Sequence, residues 1–271
     1  MVRFILPLKT YFVARETIVV SQGLQRVNFP RIWKFWYRYY YPYFDKIICQ
    51  SEDMLDDLAS LSNYNQNLVL INNPVDYKSI QNLASLKYFQ VDKFFDNKSN
   101  VYLVAAGRLL HQKGFDLLIE AIALVDNPRV KLAILGHGPL QKSLEMLIES
   151  FCLQNQVILV GYQENPYAWI SRADAFILSS YYEGFPNVVL EALACNTQVI
   201  STPAPGGTRE ILQKIEGCFL SENINSSSLA DAISLFINSN RVNISEKAIE
   251  PYKVKKITQQ YENLFCELTD N

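Results

Sequence analysis

From Val101 onward the chain alternates short apolar runs with amphipathic stretches. The runs 101–107, 130–136, 156–161, 175–180, 198–202 and 217–220 carry almost no polar residue, the pattern of strands buried on both faces. Between and after them, helical spacing predicts helices at about 115–125, 139–151, 165–172, 187–195, 207–214 and 227–239. This alternation predicts an α/β fold with a doubly wound parallel sheet, whose ligands bind beyond the carboxyl ends of the strands. The first hundred residues repeat the pattern more weakly. Strands are predicted in TYFVARE (10–16), KIICQS (46–51) and the start of NLVLINNPVD (67–76), and a helix over 51–61 with Ser51 as its N-cap. Residues 77–99 read as a polar, irregular connection, and 252–269 as a final amphipathic helix. The expected organisation is a partial N-terminal unit (1–98), a complete C-terminal unit (99–250) and a terminal helix (251–271) packing back toward the first unit.

Composition adds three constraints. With 49% hydrophobic residues and 271 positions, a large core is within reach. The net charge of −2 speaks against nucleic acid as the main partner. That average hides a polarity: residues 1–50 hold eight cations against two acids, a net of +6, so the remainder is net −8. The five cysteines are scattered with no CxxC pair, which points away from zinc or a disulfide framework and toward a reduced, cytoplasmic setting. Arg3, Pro7 and Lys9 interrupt the apolar start, so neither a signal peptide nor a membrane span is expected.

Candidate chemistry gathers at the predicted strand ends. In YYEGFPNVVLEALACN, Glu183 and Glu191 straddle a loop-to-helix junction. Pro186 suits the first helical turn, Phe185 before it is pushed toward extended backbone, and Asn196 is a plausible stop. Both carboxylates are expected to face one ligand at the helix N-terminus, where amides and the dipole favour an anion. A carboxylate beside that anion calls for hydroxyls, and a sugar nucleotide offers both. The segment AAGRLLHQKGF places Gly107, Arg108 and Lys113 in a strand-end loop, two cations suited to a diphosphate. In LGHGPL, Gly136 and Gly138 are expected to admit a ligand close to the backbone, and Gly206–Gly207 in PAPGGTREI to bring amides toward substrate. A solvated basic loop and ordinary turns are the plainer readings of each segment taken alone.

Together the GRLxxxKG segment, the GxGP turn, the YEGFPNxxLEAxA block and the TREI segment resemble the group 1 family of retaining glycosyltransferases with the GT-B fold, over roughly residues 45–271. The resemblance implies two Rossmann-like domains with parallel sheets, the N-terminal one truncated here. It implies transfer of a sugar from a UDP- or GDP-linked donor to a glycan or lipid-linked oligosaccharide, with retention of configuration, as in bacterial polysaccharide assembly. By position, Arg108 and Lys113 would hold the diphosphate and Glu183 would contact the sugar near Gly184, Phe185 and Pro186. Amides at Asn187 and Val188 would meet phosphate, with Glu191 on the ribose hydroxyls. No metal and no further cofactor are implied. The chain departs from the pattern in two ways. Only 100 residues precede Val101, without the family's early Gly-rich loop, and Arg15–Glu16 stand where many relatives have a histidine. His111 and His137 match no catalytic position. A catalytically incompetent donor-binding remnant or accessory subunit is therefore the alternative reading. A non-hydrolysing sugar-nucleotide epimerase shares the fold but lacks an acid/base set here.

One segment stands apart from the sheet pattern. RIWKFWYRYYYPYF (31–44) interleaves Trp33, Trp36, Tyr37, Tyr40 and Tyr41 with Arg31, Lys34 and Arg38. It reads either as an interfacial helix contacting anionic membrane, at the inner face of the cytoplasmic membrane, or as a helix packing the N-terminal core.

Overall fold

The structure, a computed structural model, describes residues 10–25, 27–62 and 66–270. The interrupted apolar start at 1–9 lies outside the described residues.

Two parallel sheets organise the chain. The smaller has the order β1 (Val13–Arg15), β2 (Lys46–Cys49), β3 (Leu68–Leu70), with Ala14 opposite Ile47 and Ile47 opposite Leu68. Helices α1 (Val20–Leu24), α2 (Pro30–Tyr39) and α3 (Glu52–Ser62) accompany it. Ser51 caps α3 by accepting from the Met54 amide at 3.2 Å, and Glu52 and Asp53 in the first turn complement the helix dipole. Met54 and Leu58, one turn apart, bury the inner face of α3 against Val20, Leu24 and Ile47.

Residues 77–99 are not the irregular connection expected from their polarity. They form α4 (Tyr77–Ala84) and α5 (Phe89–Phe94). Asp76 caps α4 by accepting from the Ser79 amide at 3.1 Å. Each helix buries a single residue, Ile80 and Val91, too few for a visible periodicity. Aromatic rings do the remaining packing: Phe94 and Phe95 both stack near Tyr102 and Trp169.

The larger sheet has the order β6 (Val157–Gly161), β5 (Val130–Leu135), β4 (Val101–Ala106), β7 (Ala175–Leu178), β8 (Gln198–Ser201), β9 (Phe219–Leu220), all parallel. Period two sorts its side chains. Leu103, Ala105, Leu132 and Ile134 join the cluster under α6 (Phe115–Val125), α7 (Gln141–Ser150) and α11 (Ser226–Ile237). Val104, Ala133 and Leu135 join the opposite cluster, covered by α8 (Tyr167–Ile170), α9 (Asn187–Ala194), α4 and α10 (Thr208–Leu212). Each fully buried aliphatic or aromatic side chain contributes roughly 1.5–3 kcal/mol, so this two-sided burial sets the position of every strand end.

Strand order reverses between β4 and β7. From β4 the chain winds outward to β5 and β6, and from β7 to β8 and β9, so the loops after these two strands part in opposite directions. Such a switch point opens a crevice at the carboxyl edge. The last helix, α12 (Val254–Thr269), packs Ile257 and Leu264 against Ile48 and Ile71 of the smaller unit. Lys46 and Glu267 pair across this contact at 2.6 Å.

Candidate functional site

The loops after β4 and β7 are fastened together at the switch point. Gly114 adopts a left-handed conformation (φ +57°), and a Cβ there would lie 2.2 Å from the Ser179 carbonyl. Ser179 Oγ donates to the Lys113 carbonyl (2.8 Å), and the Tyr181 amide to the Gln112 carbonyl (2.9 Å). This fastening aims the Lys113 side chain over Gly107 and brings its Nζ to 2.7 Å from Glu183 Oε1. Ser180 Oγ donates to the same oxygen at 2.6 Å. Glu183 is only 6% exposed. Both bonds use Oε1, so Oε2 takes no hydrogen bond from the described residues and remains able to accept. Lys113 likewise keeps two of its three donors.

Arg108, in the same loop as Lys113, is exposed and without a side-chain hydrogen bond or ion pair among the described residues. With Gly107, Gly136, His137, Tyr162 and Pro166 it lines a cavity of about 290 Å³ over the ends of β4, β5 and β6. The sequence reading did not include His137, Tyr162, Gln163 or Pro166 in the site. Their signal was positional, since Tyr162 to Pro166 directly follow β6. Gly136 and Gly138 also bring two loops of the protein together. A Cβ on Gly136 would sit 1.9 Å from the Gly107 carbonyl, and one on Gly138 2.6 Å from the Leu109 carbonyl. A larger hollow of about 550 Å³, between α10 and residues 242–252, holds none of the candidate donor residues.

Glu191 occupies separate ground. It lines a cavity of about 200 Å³ with Val75, Ser79, Tyr167 and Asn187. Its carboxylate accepts no hydrogen bond from the described residues, and burial raises its pKa above 4.5. The same burial, reinforced by Glu191, pushes Tyr167 up to about 12. Helix α9 begins at Asn187, where the sequence pattern places it. Pro186, at ψ 77°, is the residue before the helix and not its first turn. Asn196 does take the left-handed conformation (φ 60°) expected of a stop. Phe185 is buried at 6% among core residues, its ring 5.9 Å from Tyr252, so it supports the loop from below. Val188 is half-buried.

The site is closed from the other side by the smaller sheet. A Cβ on Gly184 would lie 2.0 Å from the Thr17 carbonyl, just past β1. Asn73 donates through Nδ2 to Asn187 Oδ1 at 2.8 Å and accepts through Oδ1 from Arg15, a relay from the end of β1 to the start of α9. Glu210 of α10 accepts from the Glu52 amide (2.7 Å) and from Asn72 (2.8 Å). Burial, then the nearby Glu52 and Asp53 charges, raise its pKa to about 7. The Gly206 amide, expected to reach substrate, donates to Asp53 Oδ2 at 2.8 Å.

Two Rossmann-like sheets facing across a crevice, with cations at the switch point of one, define the two-domain GT-B architecture. The chain belongs to the group 1 glycosyl transferases: that family's pattern matches residues 88–252, more than half of its length. It is 29% identical over 263 residues to the N-acetylgalactosamine-N,N'-diacetylbacillosaminyl-diphospho-undecaprenol 4-alpha-N-acetylgalactosaminyltransferase of Campylobacter jejuni, covering 93% of this chain and 70% of that protein. An uncharacterized glycosyltransferase of Methanocaldococcus jannaschii, MJ1059, is 36% identical over 181 residues, 65% of this chain and 44% of that protein. Among solved structures, Anabaena Alr3699/HepE in complex with UDP and glucose superposes with a TM-score of 0.81 at 21% identity, covering 97% of this chain and 73% of that one. The chain thus spans 44% of the archaeal relative and about three quarters of the cyanobacterial structure.

Proposed function

We propose that the protein moves a sugar from a nucleotide diphosphate donor to a glycan or lipid-linked oligosaccharide acceptor, with the anomeric configuration kept. The observation that carries this reading is the Lys113–Glu183 pair at the switch point, with a spare carboxylate oxygen and spare ammonium donors, and with Arg108, unpaired among the described residues, in the same loop. A diphosphate lies against Lys113, Arg108 and the N-terminus of α9, while Glu183 Oε2 accepts from a sugar hydroxyl. Glu191, half-buried and without a hydrogen-bond partner among the described residues, accepts from the ribose. The cavity at His137 and Tyr162 takes the base.

As the bond from the anomeric carbon to the phosphate oxygen breaks, its electrons move onto the diphosphate, where the two cations and the helix dipole stabilise the growing charge. Retention requires the acceptor oxygen to arrive on the face the diphosphate leaves. Glu183 is already engaged by Lys113 and Ser180, which disfavours it as a covalent nucleophile. The departing phosphate oxygen is then the base nearest the acceptor proton. No metal or cofactor beyond the donor is invoked. The undecaprenol-linked substrate in the Campylobacter relative's name supports a lipid-linked acceptor.

Calorimetric titration with UDP- and GDP-linked sugars tests donor binding, and NMR of the product tests its anomeric configuration. Absence of binding to every nucleotide sugar overturns the reading. An inverted product overturns the retaining mechanism.

A further inference from the structure

We infer that α2 is a docking element for an anionic lipid bilayer, which deepens the reading of a lipid-linked acceptor and rests on it for its purpose. Ile32, Phe35, Trp36 and Tyr39 recur at i, i+3, i+4 and i+7 and so form one apolar stripe. In a helix that serves only the fold, this stripe faces the core. Here it faces outward: the four are between 49% and 55% exposed, and no residue of α2 is buried. Rings of the stripe and its border stack on one another, Phe35 on Tyr39 (4.6 Å) and Trp36 on Tyr40 (4.1 Å), which holds them as a preformed apolar ridge. The side turned to the protein carries only Tyr37, which joins Tyr41 against the small sheet's core.

Charge selects the occupant. Arg31, Lys34 and Arg38, at i, i+3 and i+7, line one flank of the ridge, and no acid occurs between Glu16 and Asp45. A second copy of this chain pairing ridge to ridge would set like charges face to face. A bilayer with anionic headgroups meets both features at once, with aromatic side chains at the headgroup level and cations on phosphate. No helix among the described residues is long and apolar enough to cross a membrane, so the contact is a lateral one. The ridge is also tied to the crevice. The turn after α2 presents Tyr41, whose hydroxyl donates to Glu16 at the end of β1, next to the Thr17 carbonyl that faces Gly184. A bilayer holding α2 would hold that edge of the crevice near the membrane plane.

The test is co-sedimentation of the full chain with vesicles of phosphatidylcholine containing one third phosphatidylglycerol, and with pure phosphatidylcholine. Binding to the anionic vesicles is expected, weakening as salt rises. Arg31→Ala/Lys34→Ala/Arg38→Ala should reduce it on the order of 100-fold, at about tenfold or less per cation. Phe35→Ser/Trp36→Ser should abolish it even at low salt. Both variants change exposed residues, and circular dichroism melts should match the parent. Equal binding to neutral vesicles, unaltered binding by either variant, or an α2-dependent dimer in sedimentation without vesicle binding overturns the proposal. Nucleotide binding measured in parallel separates the two readings. Its persistence alongside failed vesicle binding sinks this inference alone, and its loss in the unaltered protein sinks the donor site.

Discussion

Lys113 and Glu183, 70 residues apart in sequence, meet at 2.7 Å across the switch point of the larger sheet. Glu183 is nearly closed to solvent, so the pair is structural as well as chemical. Lys113→Ala strands a buried carboxylate and should lower the unfolding free energy by about 3 kcal/mol. It should also weaken nucleoside diphosphate binding strongly. Glu183→Gln keeps an acceptor oxygen for Lys113 and Ser180, so its stability loss should stay near 1 kcal/mol while sugar transfer falls. Denaturant titration and calorimetry, run on both variants, separate the two roles.

Arg108 offers the contrasting case. It is exposed and unpaired among the described residues, and Arg108→Ala should leave the unfolding free energy unchanged to within about 0.5 kcal/mol. Donor affinity should nonetheless drop about tenfold, with the difference shrinking at high salt. An equal loss of stability would show that Arg108 belongs to the framework and not to the ligand.

Gly184→Ala probes the crevice itself. No positive φ is needed at this position, so the obstacle to a methyl group is the Thr17 carbonyl at 2.0 Å. The substitution should push the two sheets apart. Small-angle scattering should report a larger radius of gyration, and transfer should be lost while nucleotide binding survives. Unchanged scattering with full activity would contradict this.

Glu191 makes donor binding depend on pH. Its carboxyl is held above the ordinary 4.5 by burial, and the ionised form is the stronger acceptor of hydroxyl hydrogen bonds. Affinity should therefore fall as pH drops through that elevated value, and Glu191→Gln should flatten the dependence at a lower affinity. Titrations of nucleotide binding between pH 5 and pH 8 decide the matter.

Glu210 couples pH to the contact between the sheets. Its pKa stands at about 7 in the folded protein against 4.5 ordinarily, so the native state binds the extra proton between those values. The stabilising contribution is complete below about 4.5 and is lost as pH rises through about 7. Glu52→Gln removes one of the neighbouring charges and leaves the Glu52 amide bond to Glu210 in place. Melting temperatures should fall less steeply from pH 5 to pH 8 in this variant than in the parent. Parallel curves would show that Glu210 does not titrate there.

The strands of the larger sheet were readable because each buries both faces, leaving unbroken apolar runs such as Val101–Ala106. Its cations and carboxylates were readable because strand ends in a doubly wound sheet are where ligands go. What escaped the sequence depended on three-dimensional neighbours. Helices α4 and α5 each bury one residue and lean on rings supplied by Tyr102 and Trp169, so no local period announced them. The glycines at 136, 138 and 206 also meet the carbonyls and the carboxylate of distant loops, contacts with no signature in local sequence. Glu183 and Glu191 looked convergent from spacing alone. Glu183 is buried against Lys113 and Ser180, while Glu191 on α9 opens beside Ser79 and Tyr167.

The relay from Arg15 through Asn73 to Asn187 has a mechanical consequence. Asn73 belongs to the stretch of chain that joins the two sheets, and Asn187 is the first residue of the helix whose amides would receive phosphate. The connector and the anion seat are thus one hydrogen-bonded object. Swinging either sheet must turn the end of α9, and an anion settling on α9 must pull on the connector. Opening of the crevice and release of the spent nucleotide would then be a single movement, with Asn73 as its axle.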